Sequence, residues 1–248
     1  MTVTSYELAA ELIVGAHRIV ALTGAGYSRP SGIPDFRSPD GIWAAHDPTE
    51  VASLRAFWQN SDRFYGWLNG LLAPITTARP NPAHMALAEL EAADRLTAVV
   101  TQNIDSLHQL AGSQRVYELH GHLRSATCQG CGRQVPLPPL LPTIRRNQAP
   151  RCHCNGVFKP DVVLFDEGLP QGIFWLARSV IEQCDLLLVA GTALEVAPVC
   201  DLPLLATRRG AKVVIVNLAP TYLDAQADAV LREDVATAIP ALARAALG

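Results

Sequence analysis

Apolar positions along this chain follow two different periods. Near the start, Leu8, Leu12, Ile13 and Ala16 recur at helical spacing, and Thr4 with Glu7 can close a capping box, so an amphipathic helix is predicted over residues 4 to about 17. Ile19-Val20-Ala21-Leu22 then forms a short unbroken apolar run that enters Gly24-Ala25-Gly26, the outline of a strand ending in a glycine turn. Runs of the same kind occupy 96–100, 116–119, 185–190 and 212–217. Between them lie stretches of helical period at about 171–183, 198–209 and 235–247, and Asn81-Pro82 supplies an N-cap and a first-turn proline for another helix through about Ala93. Strands alternating with helices predict the α/β class, a Rossmann-like and mostly parallel sheet.

Two segments interrupt the alternation. Residues 38 to 80 carry Trp43, Phe57, Trp58, Phe64, Tyr65 and Trp67 among prolines and aspartates, which reads as a helical module inserted after the first turn, with a groove or lid as its use. Residues 122 to 158 hold four cysteines as two close pairs, Cys128-x-x-Cys131 and Cys152-x-Cys154, with Gly130 and Gly132 shaping the first turn. Paired thiolates of this spacing point to a zinc ribbon, and four protein ligands would make the metal structural, with no position left for water or substrate. His153, between the second pair, offers a substitute ligand. Cys184 and Cys200 sit in apolar surroundings and are expected to be buried small hydrophobes.

Composition narrows the function classes. A chain of 248 residues with 49% hydrophobic content can bury one substantial core, or a main domain with a smaller insertion. A net charge of -3 and a pI near 6.1 leave no electrostatic footprint for specific nucleic acid or an anionic membrane. The longest apolar stretch, around Leu186 to Leu194, is well short of the ~18 to 20 residues that span a bilayer. The start of the chain lacks a basic region followed by a long apolar centre, so the cytoplasm is the expected compartment.

The chemistry concentrates at 101–112, TQNIDSLHQLAG, and at 118–121, ELHG. These segments put Asn103, Asp105, His108 and His120 just beyond two strands, where ligands bind in open α/β sheets. Gly24-Ala25-Gly26 has the form of a phosphate-binding turn, yet Arg29 stands where a G-x-G-x-x-G fingerprint needs its third glycine, which argues against an ordinary hydride-transfer domain.

TQNIDxLHxxAG followed by HG resembles the signature of the sirtuins, NAD-dependent protein lysine deacylases. GAGYSRPSGIPDFRS at 24–38, the cysteine pairs, KPDVVLFDE at 159–167, GTALEV at 191–196 and VNLAPT at 216–221 resemble further sirtuin segments, in sirtuin order. The resemblance implies a discontinuous Rossmann-like NAD-binding domain (1–37, 80–121 and 160–248), with a small domain made of a helical module (38–79) and a zinc-ribbon module (122–159). It implies that His120 is the base acting at the nicotinamide ribose, that Asn103 orients ribose hydroxyls and that Asp105 orients the nicotinamide carboxamide. His108 is expected to be structural.

The same resemblance assigns NAD to Gly24, Ala25, Gly26, Tyr27, Ile33, Pro34, Asp35, Phe36, Arg37, Gln102 and Ile104, and, at the adenosine end, to Gly191, Thr192, Ala193, Asn217 and Val235. The Ala25 and Gly26 amides should face the diphosphate, and Phe36 should cover the reacting face against water. An acyl-lysine protein or peptide is implied as the partner, pairing as a strand between Val162, Val163, Phe165, Asp166 and Glu167 on one side and Leu194, Glu195 and Val196 on the other.

This chain departs from the family pattern at several places. Tyr27 replaces a small aliphatic and could either narrow the nicotinamide pocket or lie across the small domain. Ala193 replaces Ser, Asp166 replaces Gly, and the second cysteine pair is one residue closer than usual, with Arg151 in the usual cysteine position. Anionic acyl groups are held in some sirtuins by Tyr-x-x-Arg, but the nearest match here, Tyr65-Gly66-Trp67-Leu68, has no arginine, so acetyl and other neutral acyl groups are expected. The expected products are nicotinamide, O-acyl-ADP-ribose and free lysine. Protein mono-ADP-ribosyl transfer and a non-catalytic NAD-sensing module are the alternatives; oligomeric state is not predicted.

Overall fold

A computed structural model describes residues 4–36, 38 and 41–248. The first helix, Ser5–Gly15, begins as its spacing predicts: the Thr4 hydroxyl accepts from the Glu7 N–H, and the Glu7 carboxylate accepts from the Thr4 N–H. The strands, in chain order, are β1 (Ile19–Thr23), β2 (Leu96–Thr101), β3 (Val116–Glu118), β4 (Gly121–Cys128), β5 (Gln134–Pro136), β6 (Phe158–Val162), β7 (Leu186–Ala190), β8 (Lys212–Val216) and β9 (Ala229–Leu231).

Six of them form one sheet in the order β3-β2-β1-β7-β8-β9, with every pairing parallel. All residues of β1 and β7 are buried, which is why they read as unbroken apolar runs rather than as alternation. One face (Ala21, Val99, Leu188, Val214) packs against helices Ser5–Gly15, Pro82–Ala92 and Val235–Leu247. The other (Leu22, Val100, Leu187, Ile215) packs against Gln171–Gln183 and Leu202–Arg208. The edge strand β9 has only three residues and was not legible in the sequence.

Chain order reverses at β1, since β2 lies on one side and β7 on the other. That switch point opens a crevice beyond the C-terminal strand ends. A second, antiparallel sheet, β5-β4-β6, builds the cysteine segment and packs with helices Leu54–Gln59 and Ser61–Thr77 around Phe57, Phe64, Leu68, Leu123 and Phe158. The two sheets meet at Gly121, whose φ of +74° and contact with the Asp161 carbonyl, 2.1 Å from where a Cβ would sit, exclude any other residue. No helix among the described residues is long and apolar enough to cross a membrane.

Candidate active site

A cleft of about 770 Å³ runs between the two sheets. At its middle stands His120, held between β3 and β4. Its Nδ1 lies 3.0 Å from the Gln102 carbonyl oxygen, and a carbonyl can only accept, so the proton belongs to Nδ1 and the lone pair to Nε2. Burial pushes the imidazole below its ordinary value, with the Gln102 bond opposing the shift. A neutral ring with a free Nε2 is the form that can take a proton.

Asn103 lines the cleft next to it, fixed from three directions. Its Nδ2 donates to the Gly24 carbonyl at 3.0 Å and to Ser28 Oγ at 3.1 Å, and its backbone N–H donates to Thr101 Oγ1 at 3.1 Å. Ser28 in turn donates to Asp105 Oδ2 at 2.6 Å. Asp105 therefore stands behind Ser28 and off the lining, with its second oxygen accepting from the Leu107 N–H; desolvation raises its carboxyl, against those hydrogen bonds.

At one end of the cleft, the glycine turn after β1 touches the turn after β7. A Cβ on Gly24 would stand 2.7 Å from the Thr192 Cβ, and one on Gly26 would stand 2.9 Å from the Gly191 carbonyl oxygen. That carbonyl accepts the Gly26 N–H at 2.9 Å, so Gly26 does not present the free amide expected for a diphosphate. Ala25 and Gly26 both remain on the lining, with Gly191, Thr192, Ala193, Asn217 and Val235 beyond them. Gln102 Nε2 donates to Thr192 Oγ1 at 2.9 Å, and Asn217 Nδ2 donates to the Ala219 carbonyl at 2.8 Å. Leu218, Ala219 and Pro220, from the VNLAPT segment, also line this end, as do Glu233 and Asp234, which carry no signal in the sequence.

Asp35 and Phe36 reach the cleft, and Arg29, which the sequence offered only as a broken fingerprint, pairs with Asp35 at 2.9 Å. Ile33 packs instead with Leu107 and Ala78, Pro34 is off the lining, and Arg37 lies outside the described residues. Phe36 stacks on Trp43 (5.2 Å between centroids) and Trp43 on Trp67 (5.9 Å). This column roofs an apolar pouch past His120, lined by Ala52, Phe64, Leu68, Leu71, Ile104, Val162 and Leu164. The aromatic density of residues 38 to 80 was the signal for it. Tyr65 is fully buried and its hydroxyl donates to the Phe158 carbonyl, while Leu68 faces the pouch.

The outer groove is lined by Val163, Phe165, Asp166 and Glu167 opposite Glu195 and Val196, while Leu194 is buried beneath it. Phe165 donates to the Ala52 carbonyl at 3.0 Å and accepts from the Leu54 N–H at 2.8 Å. The Glu167 carboxylate holds the Leu164 N–H and pairs with the buried Lys159 at 2.9 Å.

Away from the cleft, the sulfurs of Cys128, Cys131, Cys152 and Cys154 all lie within 4.8 Å of one another. Cys128–Cys154 and Cys131–Cys152 are 3.4 and 3.8 Å apart. A tetrahedron of ~2.3 Å Zn–S bonds has edges of roughly 3.8 Å, so the donors and their spacing suit zinc. His153 Nδ1 is 3.2 Å from Cys152 Sγ, outside this set of four. Cys184 is buried as expected, but Cys200 is only half buried.

A family model described as the Sir2 family matches residues 24–198, more than half of the chain. The chain belongs to the Sir2 family. It is 45% identical over 242 residues to NAD-dependent protein deacetylase 1 of Pyrobaculum aerophilum, covering 97% of this chain and 94% of that one. A solved Sir2 enzyme structure superimposes with a TM-score of 0.92 at 38% identity, covering 98% of this chain and 99% of the other. Another, of a Sir2 protein with a deacetylated p53 peptide and 3'-O-acetyl ADP ribose, superimposes with a TM-score of 0.89 at 37% identity over 96% and 95% of the two chains.

Within this Sir2 fold the departures take definite places. Tyr27 does not enter the cleft. Its ring is fully buried against His84 and His108, and its hydroxyl donates to the Ala83 carbonyl at 2.8 Å. Asp166 is exposed on the groove with φ +66°, the left-handed conformation that glycine adopts most readily. Ala193 lines the cleft between Thr192 and the buried Leu194.

Proposed function

We propose that this chain removes acetyl and other neutral acyl groups from protein lysines, consuming NAD and one water and releasing nicotinamide, O-acyl-ADP-ribose and free lysine. The observation that carries this reading is the position of His120, neutral and with Nε2 unprotonated, in a cleft that runs from the glycine turns after β1 and β7 to an apolar pouch. NAD, when bound, supplies a ribose carbon with nicotinamide as leaving group, which the acyl oxygen of the modified lysine can attack.

In this reading His120 Nε2 takes the proton from a ribose hydroxyl, so that the oxygen can receive the acyl group. Asn103, held rigid by Gly24, Ser28 and Thr101, orients the ribose without reorganisation cost. The Phe36–Trp43 stack excludes water that would divert the activated sugar to hydrolysis. Cys128, Cys131, Cys152 and Cys154 would hold zinc, which would tie the second sheet together and, with four protein ligands, take no part in the chemistry. Neutral acyl groups are favoured because the pouch is lined by Leu68 and Leu71 where an anion would need a cation.

The test is mass spectrometry with NAD and matched acetyl-, butyryl- and succinyl-lysine peptides, with His120→Ala as the control. Acyl-ADP-ribose that depends on His120 is the expected result. Turnover of NAD without acyl-lysine would favour ADP-ribosyl transfer, and NAD binding without any product would favour a sensing role.

A further inference from the structure

Behind Asn103 lies a buried chain of polar groups that the reaction does not use directly. His108 Nε2 meets Thr23 Oγ1 at 3.0 Å, and Thr23 Oγ1 meets Thr101 Oγ1 at 2.9 Å. Thr101 Oγ1 accepts the Asn103 N–H at 3.1 Å. Thr23, Thr101 and His108 are each at most 2% exposed, so no solvent competes for these bonds.

The proton arrangement follows from the neighbours. The Asn81 N–H donates to His84 Nδ1 at 3.3 Å, so His84 carries its proton on Nε2, which has no protein partner. The His84 and His108 rings are 4.8 Å apart between centroids, and the atom of His108 left without a partner is Nδ1. Were His108 protonated on Nδ1, two buried N–H donors would lie side by side without an acceptor, each costing about 1 to 3 kcal/mol. Protonated on Nε2, His108 donates to Thr23 and Thr23 donates to Thr101, whose own hydroxyl hydrogen ends the chain, and the two rings leave one N–H and one lone pair rather than two donors. Burial keeps both rings neutral, His84 down at about 4 and His108 well below its ordinary value. Tyr27 closes the compartment without joining it, since its hydroxyl is committed to the Ala83 carbonyl.

We propose that His108 is a positioning residue for Asn103: its Nε2–H sets the direction of the Thr23 and Thr101 hydroxyls, and so holds the Asn103 main chain in register with the cleft. This rests on reading Asn103 as part of the deacylation machinery. A one-way donor chain fixes Asn103 more tightly than two freely rotating hydroxyls, because hydrogen bonds in series polarise one another.

Two measurements on the intact protein test it. Nitrogen-15 NMR of the imidazoles should find His108 protonated on Nε2 and neutral throughout the neutral range; protonation on Nδ1 overturns the proposal. In steady-state assays, Thr23→Val should lower kcat about ten-fold with little change in KM for the acyl peptide, as expected for loss of about 1.4 kcal/mol felt at the transition state. Thr23→Ser should restore it, His108→Phe should match Thr23→Val, and the double variant should be no worse than either. Folded Thr23→Val with wild-type kcat, or additive losses, overturns the proposal even if His108→Phe does not fold. Wild-type turnover in the same assay tests the functional reading separately. If it is absent, that reading falls, while the His108 tautomer still supports or overturns the donor chain.

Discussion

The Gln102 carbonyl selects the tautomer of His120. With Nδ1 and that oxygen 3.0 Å apart, the ring presents its lone pair to the cleft whatever else is bound there. The same carbonyl favours the protonated ring, and burial outweighs it, leaving the imidazole below its ordinary value.

The pH profile follows from that balance. The base works only when neutral, so log kcat/KM for an acetyl-lysine peptide should be flat at neutral pH and should fall on the acid side, with its midpoint below 6.5, the ordinary value. His120→Ala should lose roughly 100-fold or more and the acid limb with it. A midpoint above 6.5 would contradict the burial argument.

Stability should weaken in acid because of the compartment behind Asn103. Burial holds folded His84 at about 4, whereas an unfolded chain titrates near 6.5. Between those values the unfolded state binds more protons, so stability rises with pH, is full above about 6.5 and is lost as pH falls toward 4. The contribution from His84 alone is on the order of 3 kcal/mol. Urea midpoints at pH 7.5 and pH 5 measure it, and equal midpoints would count against buried neutral histidines.

Acyl selectivity should follow the pouch. Acetyl- and butyryl-lysine peptides should both turn over, and a succinyl peptide should be about ten-fold slower or worse, since its carboxylate would be buried against the apolar Leu68 and Leu71. Comparable succinyl and butyryl rates would refute this.

Groove charge offers a finer test. Asp166 is exposed on the groove proposed for the peptide, and Asp166→Asn should speed peptides with acidic flanks about two- to five-fold, the scale of an exposed charge contact, while leaving neutral flanks unchanged. Competition between acidic and neutral peptides gives the ratio directly.

Zinc should be tightly bound and structural. One equivalent per chain is expected by elemental analysis, and Cys131→Ser or Cys152→Ser should release it and lower the melting temperature, with the two pairs affected alike. Retention of metal in both variants would point to His153 as a ligand.

What the sequence revealed and concealed has a physical pattern. The central strands were plain because β1 and β7 are buried on both faces and so nearly all apolar. His120, Asn103 and the cysteines were legible because their residue types and spacing have few other uses. The short strands were harder: β5 in the second sheet has three residues, two of them exposed, and β9 is an equally short edge of the first sheet. Ser28, which bridges Asn103 and Asp105, is a small polar residue in a glycine turn and nothing local distinguishes it. The sequence offers Tyr27 two places, narrowing the nicotinamide pocket or lying across the small domain, and it takes neither: its ring packs in the core of the first sheet, where its hydroxyl donates to the Ala83 carbonyl.

Phe165 gives its N–H to Ala52 and its carbonyl to Leu54, and Trp43 rests edge-on against its ring at 6.0 Å. In the proposed reading, the strip that would pair with the peptide and the aromatic wall that would border the acyl chain are therefore joined, and grip and gauge would be coupled: a peptide that binds weakly should also show the poorer discrimination between acyl groups.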